Sequence, residues 1–192
     1  LARLRAAYPS AFVFAVARGV HCFMGATPER LVRLHDRDVD VACLAGSAPR
    51  GETPEEDSYL GNALMASAKD RAEHEIVVRA VRVALDGICT EVRVPAAPRL
   101  LRLHNVQHLY TPVEARAGDG TCVLDLVERL HPTPAVGGFP SEAALRFIHA
   151  RESLDRGWYA GPVGWLDRRG EGEFAVACLL YTSPSPRDRQ KS

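Results

Sequence analysis

The sequence predicts an α+β fold in which antiparallel strands form sheets and helices pack outside them. Three observations support this. Apolar runs separated by short turns fill the first quarter, two helix-start signals follow in the middle, and strand–turn–strand patterns return near the end. Hairpins grouped before and after helices, rather than strict strand–helix alternation, are typical of α+β proteins. A chain of 192 residues can bury one sizeable core.

The first quarter predicts two β-hairpins. Residues 11–17 and 20–24 are apolar runs on either side of Arg18-Gly19, and residues 31–34 and 39–44 flank a polar turn at residues 35–38. Apolar runs joined by short polar or glycine-containing turns are the usual signature of antiparallel pairs. Thr27-Pro28-Glu29 interrupts the sheet between the two hairpins.

The middle of the chain predicts two helices. Thr53-Pro54-Glu55-Glu56 combines a capping threonine, a proline at the first helical position and a following glutamate. Ser67 repeats the cap signal, and this second helix runs to Leu85 before Asp86-Gly87.

The second helix carries an unusual carboxylate. At 100° per residue, Glu73 falls in the middle of the apolar stripe Ile76, Val77, Ala80 and Ala84. An ionised carboxylate on a buried stripe is costly unless it is paired or bound to a metal. The residues themselves leave a salt bridge and a metal site open.

The second half predicts more strands and two further helices. Residues 99–107, 108–116, 157–165 and 173–177 have strand character, whereas residues 121–130 and a segment from Ser141 to about Glu152 predict helices. Residues 178–192 shift abruptly to Ser, Pro and charge, a composition that does not pack. We therefore expect one domain over residues 1–177 and an unstructured, non-native tail over residues 178–192.

Composition excludes several classes of protein. Lys plus Arg equals Asp plus Glu at 24 each, so we expect neither nucleic acid nor a membrane surface as a partner. No apolar run approaches membrane-spanning length, and no signal peptide is visible. Scattered thiols indicate reduced core cysteines and a cytoplasmic protein, with no zinc site. The cysteines are Cys22, Cys43, Cys89, Cys122 and Cys178.

The most unusual segment is residues 130–140, which we call the signature loop. It reads Leu-His-Pro-Thr-Pro-Ala-Val-Gly-Gly-Phe-Pro, with three prolines and two adjacent glycines. Neither a helix nor a central strand is expected there. The residues are compatible with a buried connector and with a pocket wall that a ligand approaches closely.

This loop resembles the signature loop of the isochorismate synthases, which belong to the chorismate-utilising enzymes. Four more blocks match that family in the same order, and the resemblance runs from about Ala11 to Ala177. The blocks are residues 25–31 (GATPERL), 44–47 (LAGS), 69–75 (KDRAEHE) and 156–165 (RGWYAGPVGW). The resemblance implies the chorismate-utilising fold, with antiparallel sheets facing each other, helices outside and the active site between.

The resemblance also implies an activity and a set of site residues. Mg²⁺-dependent conversion of chorismate to isochorismate adds water at C2, and Glu29 protonates the departing C4 hydroxyl. Glu73 is then a magnesium ligand, the backbone at Gly46 and Ser47 holds a carboxylate, and His108 lies near the substrate ring. The other substrate-binding positions implied are Ala135, Val136, Tyr159 and Gly161, and Arg30 is a candidate cation for the dianion.

Two alternatives stay open on the sequence. One is an anthranilate, aminodeoxychorismate or salicylate synthase of the same family, and the other is a non-catalytic binding fragment. By resemblance, the lysine that activates water lies upstream of Leu1, Leu179 stands where an arginine is expected, and a second metal carboxylate and a substrate-binding lysine lie further on. We therefore expect a fragment that lacks both ends, is inactive alone and exposes a strand edge at residues 173–177. The sequence does not decide between menaquinone and siderophore synthesis.

Overall fold

A computed structural model describes residues 1–19, 21–153, 155–178 and 180–181, and within them the α+β prediction is confirmed. The smaller antiparallel sheet has the order β1-β2-β10. The larger one has the order β5-β7-β4-β3-β9-β8, with β6 also paired to β7. The strands are β1 (Phe12–Arg18), β2 (His21–Thr27), β3 (Arg30–His35), β4 (Asp38–Pro49), β5 (Cys89–Arg93), β6 (Arg99–Arg102), β7 (Val106–Ala117), β8 (Pro162–Leu166), β9 (Gly172–Val176) and β10 (Leu180–Tyr181).

The helices pack mainly on the larger sheet and cover its core. They are α1 (Ala2–Ala7), α2 (Pro54–Ala66), α3 (Ala68–Leu85), α4 (Val123–Leu130), α5 (Pro134–Gly137) and α6 (Ser141–Arg151). Side chains of α3 and α4 meet those of β3, β4 and β7 in one apolar cluster that includes Leu31, Val41, Val78, Val113 and Leu126. None of the helices described in this structure is both long enough and apolar enough to cross a membrane.

The predicted hairpins and helix caps are confirmed. The strands β1 and β2 pair from Phe12↔Thr27 to Arg18↔His21, and β3 and β4 form the second hairpin. The Thr53 and Ser67 side chains accept hydrogen bonds from the backbone N–H groups of Glu56 and Asp70. Each cap satisfies an amide that lacks a partner in the first helical turn.

A charged cluster fastens the start of α2 to the end of β4. The guanidinium of Arg50 donates to both carboxylate oxygens of Asp57, at 2.6 and 3.0 Å, and Gly51 N–H donates at 3.1 Å. The hydrogen bonds from Arg50 and Gly51 lower the pKa of Asp57 to about 2. Asp57 is therefore ionised throughout the neutral range and holds two consecutive elements together.

The buried face of α3 differs from the predicted one by about one position. The buried residues are His74, Val77, Val78, Val81 and Leu85, whereas Glu73 is exposed. Burial of His74 is tolerated because both ring nitrogens have partners, Thr111 Oγ1 at 2.7 Å and the Ala45 carbonyl at 3.3 Å. The prediction of a stripe centred on Glu73 was wrong.

Several strand and helix boundaries in the second half of the chain also differ from the predicted ones. The strands predicted at residues 99–107 and 108–116 are separated by a turn at residues 103–105, so β7 begins at Val106. The short strand β5 and the helix α1 were not predicted. The helix α6 begins at Ser141 as predicted, with Pro140 at its N-cap position and no side-chain capping bond.

The signature loop is more regular than its composition predicted. It contains the single-turn helix α5, with Pro134 at its first position. Proline fits there because the first helical N–H has no intrahelical acceptor and the φ of proline already suits a helix. Gly138 follows α5 with a φ of +78°.

The segment after α6 and the end of the chain also differ from expectation. Of the predicted strand 157–165, only residues 162–165 pair in the sheet, as part of β8, which extends to Leu166; residues 157–160 form a turn. The strand β9 is bonded to β3 on one side and β8 on the other, so the predicted exposed edge at residues 173–177 was wrong. Within the predicted tail, Leu180 and Tyr181 pair with β2, whereas Leu179 and residues 182–192 lie outside the described residues.

Candidate functional site

A cavity of about 510 Å³ lies where five parts of the chain meet. These parts are the β2–β3 junction, the middle of β4 with the facing residue of β7, the first half of α3, the signature loop, and Cys178 just after β9. The lining residues are Pro28, Glu29, Leu44, Ala45, Gly46, Ser47, Glu73, Ile76, Val77, His108, Pro134, Ala135, Phe139 and Cys178. We call this the Glu29 cavity. It brings together Glu29 and Glu73, as the sequence predicted.

Glu29 is held in the short connection between β2 and β3. Its backbone N–H donates to Thr27 Oγ1 at 3.2 Å, and Cys178 Sγ donates to Glu29 Oε2 at 3.4 Å. Burial raises the pKa of the Glu29 carboxyl, and the thiol hydrogen bond only partly opposes that shift. A carboxyl group that keeps its proton closer to neutral pH is suited to donate it to a leaving group.

A β-bulge shapes the opposite wall of the cavity. The pairing of β4 with β7 skips one residue between Ala45 and Ser47, and Gly46 occupies the bulge with a φ of +79°. A Cβ atom there would lie 3.1 Å from Asp70 Cβ and 3.3 Å from Leu109 Cδ1. Glycine is therefore required by both the backbone conformation and the available space.

Ser47 and His108 form a polar pair beside that bulge. Ser47 Oγ lies 2.8 Å from His108 Nδ1. Burial lowers the pKa of His108, against a smaller opposing effect of its hydrogen bond to the Gly46 backbone. The imidazole is therefore neutral near pH 7 and offers hydrogen-bonding capacity without a charge.

Glu73 lines the cavity from its rim and not from a buried position. Its side chain is 53% exposed, and Lys69 Nζ lies 3.5 Å from Glu73 Oε1. Of the two alternatives that the sequence left open, an ion pair is thus present, because Lys69 precedes Glu73 by one helical turn. Exposed pairs of this kind contribute little to stability, so the carboxylate is free to exchange partners.

Three of the predicted substrate-binding residues lie outside the Glu29 cavity. The side chain of Val136 packs against the core, and its carbonyl accepts a hydrogen bond from Arg156. The turn at residues 157–160 places Tyr159 beside the Arg156 guanidinium, 5.8 Å from the ring centroid. Gly161 borders a different cavity together with Phe23 and Trp158. A strand through residues 157–165, as predicted, would have placed Tyr159 and Gly161 differently.

Arg30 also lies elsewhere. Its Nε donates to Glu173 Oε1 at 2.6 Å, and its guanidinium lies over the Phe12 ring. Among the residues that the structure describes, those lining the Glu29 cavity include no lysine or arginine. Positive potential for an anion must therefore come, within this part of the chain, from backbone N–H groups.

Sequence reasoning missed several members of the wall. Ala45, Ile76 and Phe139 were not singled out, although each is adjacent to or within a recognised block. Cys178 was assigned to the tail, yet it contacts Thr27 and Glu29, and burial with the nearby Glu29 charge raises its pKa to about 11. No local pattern marks such a thiol, because only the fold brings it to Glu29.

The described residues provide one clustered set of three potential metal-ligand side chains, and it lies elsewhere. It consists of His35, Asp36 and Glu171 at the β3–β4 turn and near β9. Two of its members are exposed, and Glu171 already accepts hydrogen bonds from the other two. At the Glu29 cavity, the carboxyl groups among the lining residues are those of Glu29 and Glu73.

Known proteins resemble this chain along nearly all of its length. A sequence model of the family described as "Chorismate binding enzyme" matches residues 1–178. The salicylate biosynthesis isochorismate synthase of Pseudomonas aeruginosa is 51% identical over 174 residues, covering 91% of this chain and 37% of that protein. Isochorismate synthase MenF of Bacillus subtilis is 43% identical over 168 residues, covering 88% and 36%.

A solved structure shows the same fold. It is the putative 2,3-dihydroxybenzoate-specific isochorismate synthase DhbC of Bacillus anthracis, with a TM-score of 0.89 and 36% identity, covering 94% of this chain and 50% of that one. The chain thus spans between about a third and a half of the length of these relatives. With the family match extending over residues 1–178, the chain belongs to the chorismate-binding enzymes.

Proposed function

We propose that this chain is the part of an isochorismate synthase that carries the general acid and one wall of the substrate site. The observation that carries the proposal is the buried Glu29 carboxyl with its raised pKa, facing a cavity shared with the Gly46 bulge and Glu73. The curated relatives at 51% and 43% identity are both named isochorismate synthases. They favour this activity over an anthranilate or aminodeoxychorismate synthase.

Glu29 serves as the proton donor. In the proposed reaction, water adds at C2 of chorismate and gives up a proton to a general base elsewhere in the whole enzyme. The ring double bonds shift, and the C4 hydroxyl leaves as water with a proton from Glu29. Because burial keeps Glu29 protonated to higher pH, the group can supply that proton. Cys178 donates to Oε2, which leaves Oε1 to carry the transferable proton.

The opposite wall holds the substrate. The bulge at Gly46 brings backbone to the surface of the cavity, and amides presented in such turns bind carboxylates. Ser47 and the neutral His108 add uncharged hydrogen-bonding groups beside it. Ala135 and Phe139 of the signature loop complete an apolar side against the ring.

Magnesium is proposed as the cofactor, with Glu73 as one ligand. The fit rests on donor chemistry, because Mg²⁺ prefers carboxylate oxygens and commonly uses one or two of them together with substrate oxygens and water. Glu73 is the half-exposed carboxylate on the cavity wall, restrained only by the weak pair with Lys69. When bound, the ion offsets the negative charge of the substrate.

Two measurements test this proposal. Calorimetry of the 192-residue chain with chorismate, with and without Mg²⁺, reports binding. A chimaera in which residues 1–178 replace the matching segment of the Pseudomonas aeruginosa relative reports turnover to isochorismate. We expect the chimaera to be active and its Glu29→Gln form to lose roughly 10²–10⁴-fold in kcat, the usual contribution of a positioned general acid.

The matched control is Glu75→Gln, which changes an exposed carboxylate on α3 that does not line the cavity. An active chimaera whose rate is unchanged by Glu29→Gln would remove Glu29 from the mechanism. A chimaera that folds, binds chorismate and forms no isochorismate would favour a binding segment without this chemistry.

A further inference from the structure

A buried histidine on α3 joins that helix to two strands of the larger sheet. His74 Nε2 lies 2.7 Å from Thr111 Oγ1 on β7, and His74 Nδ1 lies 3.3 Å from the carbonyl oxygen of Ala45 on β4. His74 and Thr111 are only 3% and 2% exposed, so water does not replace either partner. An apolar residue of similar volume would fill this part of the core without needing partners at all.

The partners determine where the ring carries its proton. A backbone carbonyl only accepts hydrogen bonds, so Nδ1 of His74 carries a proton and donates it to Ala45. A hydroxyl donates or accepts, so Thr111 satisfies Nε2 whether or not that nitrogen is protonated. The bridge from β7 through α3 to β4 is therefore the same in either charge state of the ring.

The Ala45 carbonyl belongs to the peptide unit that leads into the bulge. Peptide units are planar, and in a trans unit such as this one the N–H points opposite to the carbonyl. The direction of the Ala45 carbonyl therefore also sets the direction of the Gly46 N–H. The pairing of β4 with β7 skips Gly46, so the sheet itself constrains this unit less than its neighbours. The hydrogen bond from His74 supplies the missing constraint.

The same helix contacts the bulge one turn earlier. A Cβ atom at Gly46 would lie 3.1 Å from Asp70 Cβ, so α3 packs closely against the bulge at that point. His74 follows Asp70 by four residues, which places both on one face of the helix. Glu73 directly precedes His74 and lines the Glu29 cavity together with Gly46. The spacing between Glu73 and the bulge therefore depends on these two contacts.

We propose that His74 is a positioning residue of the Glu29 cavity, which fixes the direction of the Gly46 bulge and its distance from Glu73. The inference rests on the proposed function, in which the bulge holds a substrate carboxylate. His74 is not among the described residues that line the cavity, so it acts through Ala45, which is. Loss of the donor to Ala45 should weaken substrate and transition state alike, and so raise KM more than it lowers kcat.

Two amide variants separate the two contacts of the ring. In His74→Asn the side-chain nitrogen can take the place of Nδ1 and keep the donor to Ala45, whereas in His74→Gln the amide reaches the place of Nε2 and loses that donor. In the chimaera with the Pseudomonas aeruginosa relative, we expect His74→Gln to raise KM for chorismate roughly tenfold, with a much smaller change in kcat. This loss corresponds to about one hydrogen bond to a charged group. His74→Asn should restore most of the affinity.

Thr111→Val is the matched control. It leaves a ring nitrogen unpaired in the same buried place but keeps the contact with Ala45. It should lower Tm as His74→Gln does, yet leave KM close to the parental value. Equal KM values in the two amide variants would overturn the role of the Ala45 contact. An equal rise in KM in Thr111→Val would show a general loss of stability in place of positioning.

Ring ¹⁵N shifts of His74 in the labelled 192-residue chain test the bridge without a variant and without activity. We expect a protonated Nδ1 in the chain free of ligand. An unprotonated Nδ1 would overturn the inference whatever the kinetics show. A protonated Nδ1, with a chimaera that folds but neither binds nor converts chorismate, would support the bridge and refute the proposed function. The two failures are thus distinguishable.

Discussion

Replacing Gly46 by alanine should destabilise the protein and displace the wall that the bulge contributes to the Glu29 cavity. Two costs arise. The backbone φ of +79° is disfavoured for any residue with a Cβ, by about 1–2 kcal/mol. The new Cβ would also lie 3.1 Å from Asp70 Cβ, which is attached directly to the α3 backbone and cannot rotate away. Overpacking of this kind typically costs about 1–3 kcal/mol.

Gly87→Ala is the matched control. Gly87 has nearly the same φ, +75°, but a Cβ there would meet nothing within 4 Å. The backbone strain and the reduced entropy of the unfolded chain are therefore common to both variants and cancel in their difference. What remains is the contact with α3, so Gly46→Ala should be less stable than Gly87→Ala by about 1–3 kcal/mol.

Thermal unfolding monitored by circular dichroism measures this difference. For a chain of this size, about 1 kcal/mol corresponds to about 2–4 °C in Tm, so a difference of about 1–3 kcal/mol gives a gap of about 2–12 °C between the two variants. Calorimetry should also show weakened chorismate binding for Gly46→Ala and unchanged binding for Gly87→Ala. Equal Tm values, or equal binding, would refute the argument that Gly46 is required by the close approach of α3.

Three further predictions concern single carboxylates. The folded-state pKa of Glu29 is raised above its unfolded value, so ionisation of Glu29 destabilises the fold at neutral pH. Glu29→Gln should therefore raise the free energy of unfolding at pH 7, and this gain should disappear below about pH 4. Urea titrations at several pH values measure the effect. The pKa of Asp57 is lowered to about 2, so its stabilising effect is present above its unfolded pKa and is lost as pH falls toward 2. In the same urea titrations, the free energy of unfolding of Asp57→Asn should therefore fall less steeply with acidification than that of the parent chain. Glu73→Gln should reduce the Mg²⁺-dependent increase in chorismate affinity, whereas Glu75→Gln should not. If calorimetry shows an unchanged Mg²⁺ dependence in Glu73→Gln, Glu73 is not a metal ligand.

Local signals in the sequence were sufficient for much of the fold. The caps at Thr53 and Ser67 depend on residues within one helical turn, and the N-terminal hairpins depend on turns of a few residues. The residues that make these interactions lie close together in the sequence, so a local pattern is enough to predict them. The signature loop and its companion blocks likewise indicated where the wall of the Glu29 cavity would be, because Ala135, Gly46 and Glu29 lie in three of those blocks.

Features that depend on distant partners could not be predicted in the same way. The strand β5 is five residues long and exists because the end of β7 offers an open edge beside it. Tyr159 was misplaced because a glycine- and aromatic-rich segment is compatible with both a strand and a turn. The segment forms a turn in the structure, in which Gly157 and Ala160 both adopt positive φ. Cys178 reaches Glu29 only after β9 has paired between β3 and β8.

The position of Glu73 on α3 has a physical basis that bears on function. A periodicity that treats histidine as polar centred the buried stripe of α3 on Glu73. The structure instead buries His74, because both of its ring nitrogens have hydrogen-bond partners. The helix consequently turns Glu73 away from the core and onto the rim of the cavity. A fully buried carboxylate would have needed a permanent partner and would have been poorly suited to exchange ligands. At the rim, Glu73 keeps a weak pair with Lys69 and remains accessible, which suits the role of magnesium ligand that we propose for it.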